Sequence, residues 1–228
     1  MSLVPFTSFG GPPVEIARSL IGRLLVRRRQ GLLLTVRIIE TEAYAITDRA
    51  SHSSLGRTPS REPMFASTGT IYMYWSRGGP SLNVSVGAPG DAVLIKGAVA
   101  VSEGPALAAM HALSPLRGGG RRPDHKLLSG QSLLCRALDL RVADWTGQGF
   151  GGDLRLMDDG ARPAEILQTT RLGIAQGRDE QLPWRFVHRE HARSATSNPT
   201  TRRGAVQGRD WWVLRPGDAA ACPATPPG

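Results

Sequence analysis

Hydrophobic positions recur at two different periods along this chain, and the points where the period changes divide it into elements. Behind Pro12-Pro13, the residues Val14, Ala17, Leu20, Ile21 and Leu24 fall on one helical face, which predicts a helix beginning after the prolines. Leu24 to Arg28 and Leu32 to Glu40 flank Gln30-Gly31 and read as a β-hairpin, with β-branched residues in the strands and glycine where the turn needs it. Strands are expected at Thr70 to Trp75, Asn83 to Val86 and Asp91 to Ile95, the first two separated by the turn-forming run Arg77-Gly78-Gly79-Pro80. Helices are expected at Glu103 to Leu113 and, capped by Ser129, at Gly130 to Leu138. Short strands near Leu154 to Met157, Ile166 to Thr169 and Trp184 to Val187 complete a mixed α and β pattern. Ala45 to Pro63 reads as a long irregular loop, and loops of that length usually carry function or disorder. Residues 1–13 are expected to be a flexible N-terminus, 14–190 the folded domain and 191–228 a flexible basic segment, since His191 to Asp210 and Pro216 to Gly228 are turn-like and poor in hydrophobic residues.

One strand carries more than packing information. Leu34, Val36 and Ile38 share parity with Glu40, Glu42 and Tyr44, so strict alternation puts all six on one face. An apolar face that ends in carboxylates before a long loop either places them in a cleft, where desolvation would raise a carboxylate pKa toward that of a useful base, or simply emerges into solvent. In Tyr72-Met73-Tyr74-Trp75 the two tyrosines face one way and Met73 and Trp75 the other, so one pair lies off the core unless both are packed. Tyr44, Tyr72 and Tyr74 are the only three tyrosines of the chain, and tyrosine faces stack well on nucleobases.

Composition narrows the partner. The 28 basic against 19 acidic residues leave a net charge of +9 and a pI near 10.8, the electrostatic footprint of a polyanion binder. All but Lys96 and Lys126 of the basic residues are arginine, whose planar fork suits phosphate and stacked bases. A coding sequence rich in G and C would produce a similar Arg, Ala, Gly and Pro bias, so charge alone leaves both causes open. No apolar run approaches the ~20 residues of a membrane span, and Met1 to Gly11 lacks a secretory pattern, which points to a soluble cytoplasmic protein. Cys135 and Cys222 are too few for a disulfide scaffold or a cysteine-built zinc site. Gly147 to Gly152 satisfies the dinucleotide-binding glycine spacing without the flanking strand and helix, and His188 and His191, with Glu190 between them, could touch a metal but no third ligand is indicated. Neither is read as a site.

The run Ile39-Glu40-Thr41-Glu42-Ala43-Tyr44, then His52-Ser53, Met64-Phe65, Gly69-Thr70-Ile71-Tyr72-Met73-Tyr74 and Leu82-Asn83-Val84 resembles, in order and spacing, the successive motifs of the alkyladenine (3-methyladenine) DNA glycosylase family. Ala92 to Ile95, Leu128 to Leu138 and Arg171-Leu172-Gly173-Ile174 are similar to later blocks of that family, so the resemblance covers about residues 14 to 190. It implies an α+β fold, a compact single domain with a curved, mainly antiparallel β core flanked by helices. It also implies a monomeric enzyme without cofactor or metal, which extrudes a damaged purine from duplex DNA and hydrolyses its N-glycosidic bond. Carried over by position, Glu42 resembles the general base, Tyr44, His52 and Tyr74 the walls around the flipped purine, Asn83 the pocket asparagine that crowds the 2-amino group of guanine, and Tyr72 and Leu94 lining residues. Lys96 stands where the family pattern has arginine, keeping the charge but not the fork. The tip Arg77 to Ser81 replaces a longer hairpin tip that wedges into DNA, leaving Arg77, or Trp75, as the residue expected there. Arg57 and Arg61 are further expected DNA contacts. A non-catalytic nucleic-acid-binding protein on the same fold is the alternative.

Overall fold

The computed structural model describes residues 1–76 and 78–218. Strand β1 (Ser2–Leu3) is followed by helix α1 (Pro13–Ser19), then β2 (Leu24–Arg29) and the long β3 (Leu32–Tyr44). After the irregular segment come β4 (Ile71–Ser76), β5 (Gly79–Ser85) and β6 (Ala92–Ala100), and helices α2 (Gly104–Leu113), α3 (Gln131–Ala137) and α4 (Val142–Trp145). Strands β7 (Leu154–Asp158), β8 (Ile166–Thr169), β9 (Arg185–His188) and β10 (Trp211–Leu214) complete a mixed α/β domain. Among the described residues every strand pairing is antiparallel, in the order β1-β7-β2-β3-β6-β5-β4, with β9, β8 and β10 attached to β3 in that order.

Local chemistry accounts for the elements that position the cleft. Pro13 opens α1 where no intrahelical N–H is needed, and Ile16 and Ala17 bury its inner face. The β2–β3 turn holds Gln30 at φ 48° and Gly31 at φ 77°, the pair of positive values a tight two-residue hairpin turn requires. Ser129 is not the cap of α3: Gly130, at φ 107°, takes that position, and Ser129 Oγ donates to the carbonyl of Ala195. The core lies under one face of the sheet, where Leu34, Val36, Ile38, Ile71, Met73, Leu82, Val84, Val93 and Ile95 meet α1, α2 and α3.

The even-parity face does not continue to Glu42. Ile38 pairs with Ala98 and Glu40 with Gly97, but Thr41 pairs with Ile95, so a β-bulge interrupts the ladder between 38 and 41. Past it the odd residue Ala43 joins Val93 in the core, and Glu42 and Tyr44 turn to the opposite face. A slip of one residue exchanges the two faces of a strand. The bulge also marks where β3 changes neighbours on one edge, from β2 along residues 32–37 to β9 along 40–42, while β6 stays on the other. Residues 38–43 are therefore buried regardless of polarity.

The chain beyond 190 is built into this arrangement as far as it is described. Ala192, Ser194 and Ala195 are buried, Thr196 and Ser197 bond to side chains of the sheet, and β10 closes onto β8. At the other end Phe9 is buried against Phe150 and β1 pairs with β7. Residues 219–228, including Cys222, lie outside the described residues.

Candidate active site

Four strands deliver one transverse row of side chains to the face opposite the core. Glu42 on β3 is paired with Leu94 on β6, Leu94 with Asn83 on β5, and Asn83 with Tyr72 on β4. Tyr44, Tyr74 and Lys96 lie one pleat away on the same face. Together with His52, Met64 and Trp75 these residues line a cleft of about 780 Å³, whose lining Gln131, Leu172 to Ala175 and Arg178 complete. A second cleft of about 760 Å³, beside α1 and β10, has more apolar walls and puts its charges, such as Arg18 and Arg162, into ion pairs or carbonyl contacts.

Glu42 is wholly buried at the cleft floor. Its Oε1 accepts from Lys96 Nζ at 2.7 Å and from the Leu172 backbone N–H at 3.1 Å, and its Oε2 accepts from the Tyr44 hydroxyl at 2.8 Å. Burial pushes its pKa up, but the Lys96 ammonium, by charge and hydrogen bond, together with Arg185 and the Leu172 amide, pulls it below the usual value of 4.5. The expectation of a raised carboxylate is thus reversed, because the strand that buries Glu42 also brings it a cation. Tyr44 shifts the other way: burial and the neighbouring Glu42 charge raise its hydroxyl well above 10, so it stays a donor.

Aromatic surface forms the walls. The rings of Tyr72 and Tyr74 stack with centroids 5.6 Å apart, and His52 lies tilted 4.3 Å from Tyr74. His52 Nδ1 and the Tyr72 hydroxyl share a hydrogen bond of 3.0 Å. Burial, with Arg61 and Arg178 nearby, lowers the His52 pKa, so the imidazole is neutral at neutral pH. Asn83 Nδ2 donates to the Tyr72 carbonyl at 3.0 Å, which fixes the amide, since a carbonyl can only accept.

The remaining expected residues are placed differently. Trp75 is 72% exposed at the cleft mouth, on a hairpin braced by Gln131, whose Nε2 donates to Ser76 Oγ and Ser81 Oγ. Ser76 pairs with Gly79, so the strand reaches four residues further back than Asn83 and Pro80 belongs to it. Arg77 lies outside the described residues. Arg57 is exposed and paired with Glu62, while Arg61 donates to the carbonyls of Leu55 and Gly56; neither lines the cleft. Glu40, close to Glu42 in sequence, is absent from the cleft: Arg185 Nε occupies its Oε1 and Thr196 N and Oγ1 its Oε2. Among the described residues no group of three or more His, Cys, Asp or Glu is arranged to hold a metal ion. His188 and His191 instead pack ring against ring with centroids 4.6 Å apart. Sequence reasoning left Gln131 and Arg178 unassigned and gave Leu172 no role beyond its place in a short similar block.

The family model of the methylpurine-DNA glycosylases matches residues 7–192. The chain belongs to this family. A relative in Pseudomonas aeruginosa (strain LESB58) with the provisional name of 3-methyladenine DNA glycosylase is 45% identical over 201 residues, 86% of this chain and 84% of the relative. A protein of the same provisional name from Pseudomonas savastanoi pv. phaseolicola is 47% identical over 189 residues, 81% and 85% of the two chains. Another, from Carboxydothermus hydrogenoformans, is 36% identical over 192 residues, 81% and 94%. The chain is accordingly a DNA glycosylase of the methylpurine class, acting in DNA repair. No helix among the described residues is long and apolar enough to cross a membrane.

Proposed function

We propose that this glycosylase extrudes an alkylated or deaminated purine of the 3-methyladenine, 7-methylguanine, hypoxanthine and ethenoadenine class from duplex DNA, and hydrolyses its N-glycosidic bond with a water held by Glu42. The observation that carries the reading is a fully buried carboxylate, fixed by three donors, on the floor of a cleft walled by Tyr44, His52, Tyr72 and Tyr74. A base must leave the stack before its sugar bond can be reached, and aromatic walls replace the stacking it loses.

In the reaction the C1′–N bond breaks with its electron pair leaving on the purine, and the water oxygen bonds C1′ while its proton passes to the Glu42 carboxylate and on to solvent. The sugar passes through an oxocarbenium-like state, which a fixed negative charge beside C1′ stabilises. The lowered pKa keeps Glu42 ionised at neutral pH, so the carboxylate that accepts the proton also orients the water and stabilises the positive sugar. Lys96 supplies charge to Glu42 through one ammonium contact and is assigned no nucleophilic part, so the enzyme is monofunctional, without lyase chemistry. Asn83 is the residue assigned to exclude normal guanine by crowding its 2-amino group. The acting unit in this reading is the monomer.

The test uses duplex oligonucleotides with a single hypoxanthine, ethenoadenine or 7-methylguanine, followed by alkaline cleavage. Alkali-dependent breaks at the lesion are expected. Breaks without alkali would assign a lyase, and binding without breaks would assign the non-catalytic alternative.

A further inference from the structure

Arg171 lies behind the cleft, lines none of it, and is joined to three of its walls. Its side chain is 0% exposed. Nη1 donates to the carbonyl of Ala43, the residue before Tyr44, at 3.0 Å. Both terminal nitrogens donate to the Asp48 carboxylate, and Asp48 Oδ1 also accepts from the Ala50 N–H, which begins the turn into Ser51 and His52. Nη2 donates to the Asp179 carbonyl at 3.2 Å, next to Arg178. The Arg171 backbone leads directly into Leu172, whose N–H holds Glu42. The guanidinium carbon sits 4.7 Å from the Tyr44 ring centroid and 5.4 Å from that of Trp184.

The arrangement is more than an ion pair that fastens a loop. Arg171 Nε is buried without a hydrogen-bond partner. Leaving a guanidinium donor unsatisfied in the interior is unfavourable, so hydrogen bonding alone would not choose this orientation. The guanidinium also lies over two aromatic faces, and a planar cation is the group that can meet a ring face and bridge several acceptors at once.

We infer that Arg171 is a positioning residue for base capture, acting through Tyr44: it sets the ring from behind at the angle needed to stack on an extruded purine, while tying the His52 and Leu172–Arg178 walls to the same point. The inference rests on the base-extrusion reading above.

The experiment is a double-mutant cycle between Arg171→Lys and Tyr44→Ala, read by equilibrium binding and single-turnover excision of a hypoxanthine duplex. Lysine keeps the charge and the Asp48 pair but loses the plane and the multiple contacts. Expected is about tenfold weaker binding of the hypoxanthine duplex, unchanged binding of undamaged duplex, and a smaller change in the excision rate at saturating protein. In the Tyr44→Ala background the same substitution should change lesion binding less than about twofold, because the ring it serves is gone. A merely structural role would give the full loss in both backgrounds, and that result overturns the inference, as does a Lys variant that binds like the parent. If the Lys variant does not fold, Asp48→Asn replaces it in the same cycle with the same expected coupling. A parental protein that neither prefers nor excises hypoxanthine would overturn the base-extrusion reading itself and this inference with it, whereas parental excision with uncoupled variants overturns only the inference.

Discussion

At the scale of single residues, the assignment depends on Glu42. Glu42→Gln retains size and hydrogen-bonding atoms but removes the charge facing C1′, so single-turnover excision should fall by about 10²–10⁴-fold. Affinity for lesion duplex should hold or rise, since the amide no longer repels phosphate; near-parental excision would remove Glu42 from the mechanism. Glu40 is no substitute, because Arg185 and Thr196 occupy both of its oxygens. The pH profile follows from the sign of the shift. The folded Glu42 pKa lies below 4.5, so the carboxylate stays ionised through neutral and mildly acid pH. Its pairing contributes stability above the unfolded value and loses that contribution as pH falls through the folded one. Excision of hypoxanthine should therefore keep its rate on acidification until pH drops below 4.5. Lys96→Met removes the main force opposing desolvation and should move that acid limb upward, which a pH series of single-turnover rates would reveal; an unmoved limb would show that another group titrates.

At the scale of elements, the β3 bulge decides which chemistry reaches the cleft. It turns Glu42 and Tyr44 away from the core face held by Leu34, Val36 and Ile38, and seats Glu40 opposite Gly97. A Cβ on Gly97 would stand 3.0 Å from Glu40 Oε2 and 3.3 Å from Glu40 Cβ, tighter than ordinary packing. The neighbour cannot swing clear, because its carboxylate is pinned by Arg185 and Thr196. Gly97→Ala should therefore destabilise the fold by about 1–3 kcal/mol, measured by denaturant unfolding. It should also slow excision by shifting the bulge that aims Glu42, and a neutral outcome in both assays would mean the bulge has slack. The sequence carried the strand but hid the bulge, since Ile38 to Ala43 holds no glycine or proline to mark it. It falls where the neighbour on one edge changes from β2 to β9.

At the scale of the whole molecule, the +9 charge acts on association. Binding to duplex should weaken steeply with salt, with a log-log slope of about −0.9 for each phosphate neutralised. Non-specific duplex should show nearly the same slope as lesion duplex, since stacking in the cleft is not an ion-release process; a flat titration would remove the phosphate contacts from the reading. Lys96 on the cleft floor contributes little to this term, since its ammonium is held by Glu42.

What the sequence determined by itself was local and chemical. The helix behind Pro12-Pro13, the hairpin at Gln30-Gly31 and the outer strands follow from period and turn chemistry. The motif from Glu40 to Tyr44, with Tyr72, Tyr74 and Asn83, was legible from its resemblance to the family, and those residues lie on neighbouring strands of one sheet. Tertiary structure decided the rest. The sign of the Glu42 shift depends on Lys96, 54 positions away, and on an amide from Leu172, 130 positions away. Residues beyond 190 read as solvated because their composition is polar, yet Thr196 and Ser197 serve as partners for Glu40 and Arg185. A buried charge must be matched wherever the chain passes near it, and which segment passes there is a property of the fold and not of any local stretch of sequence.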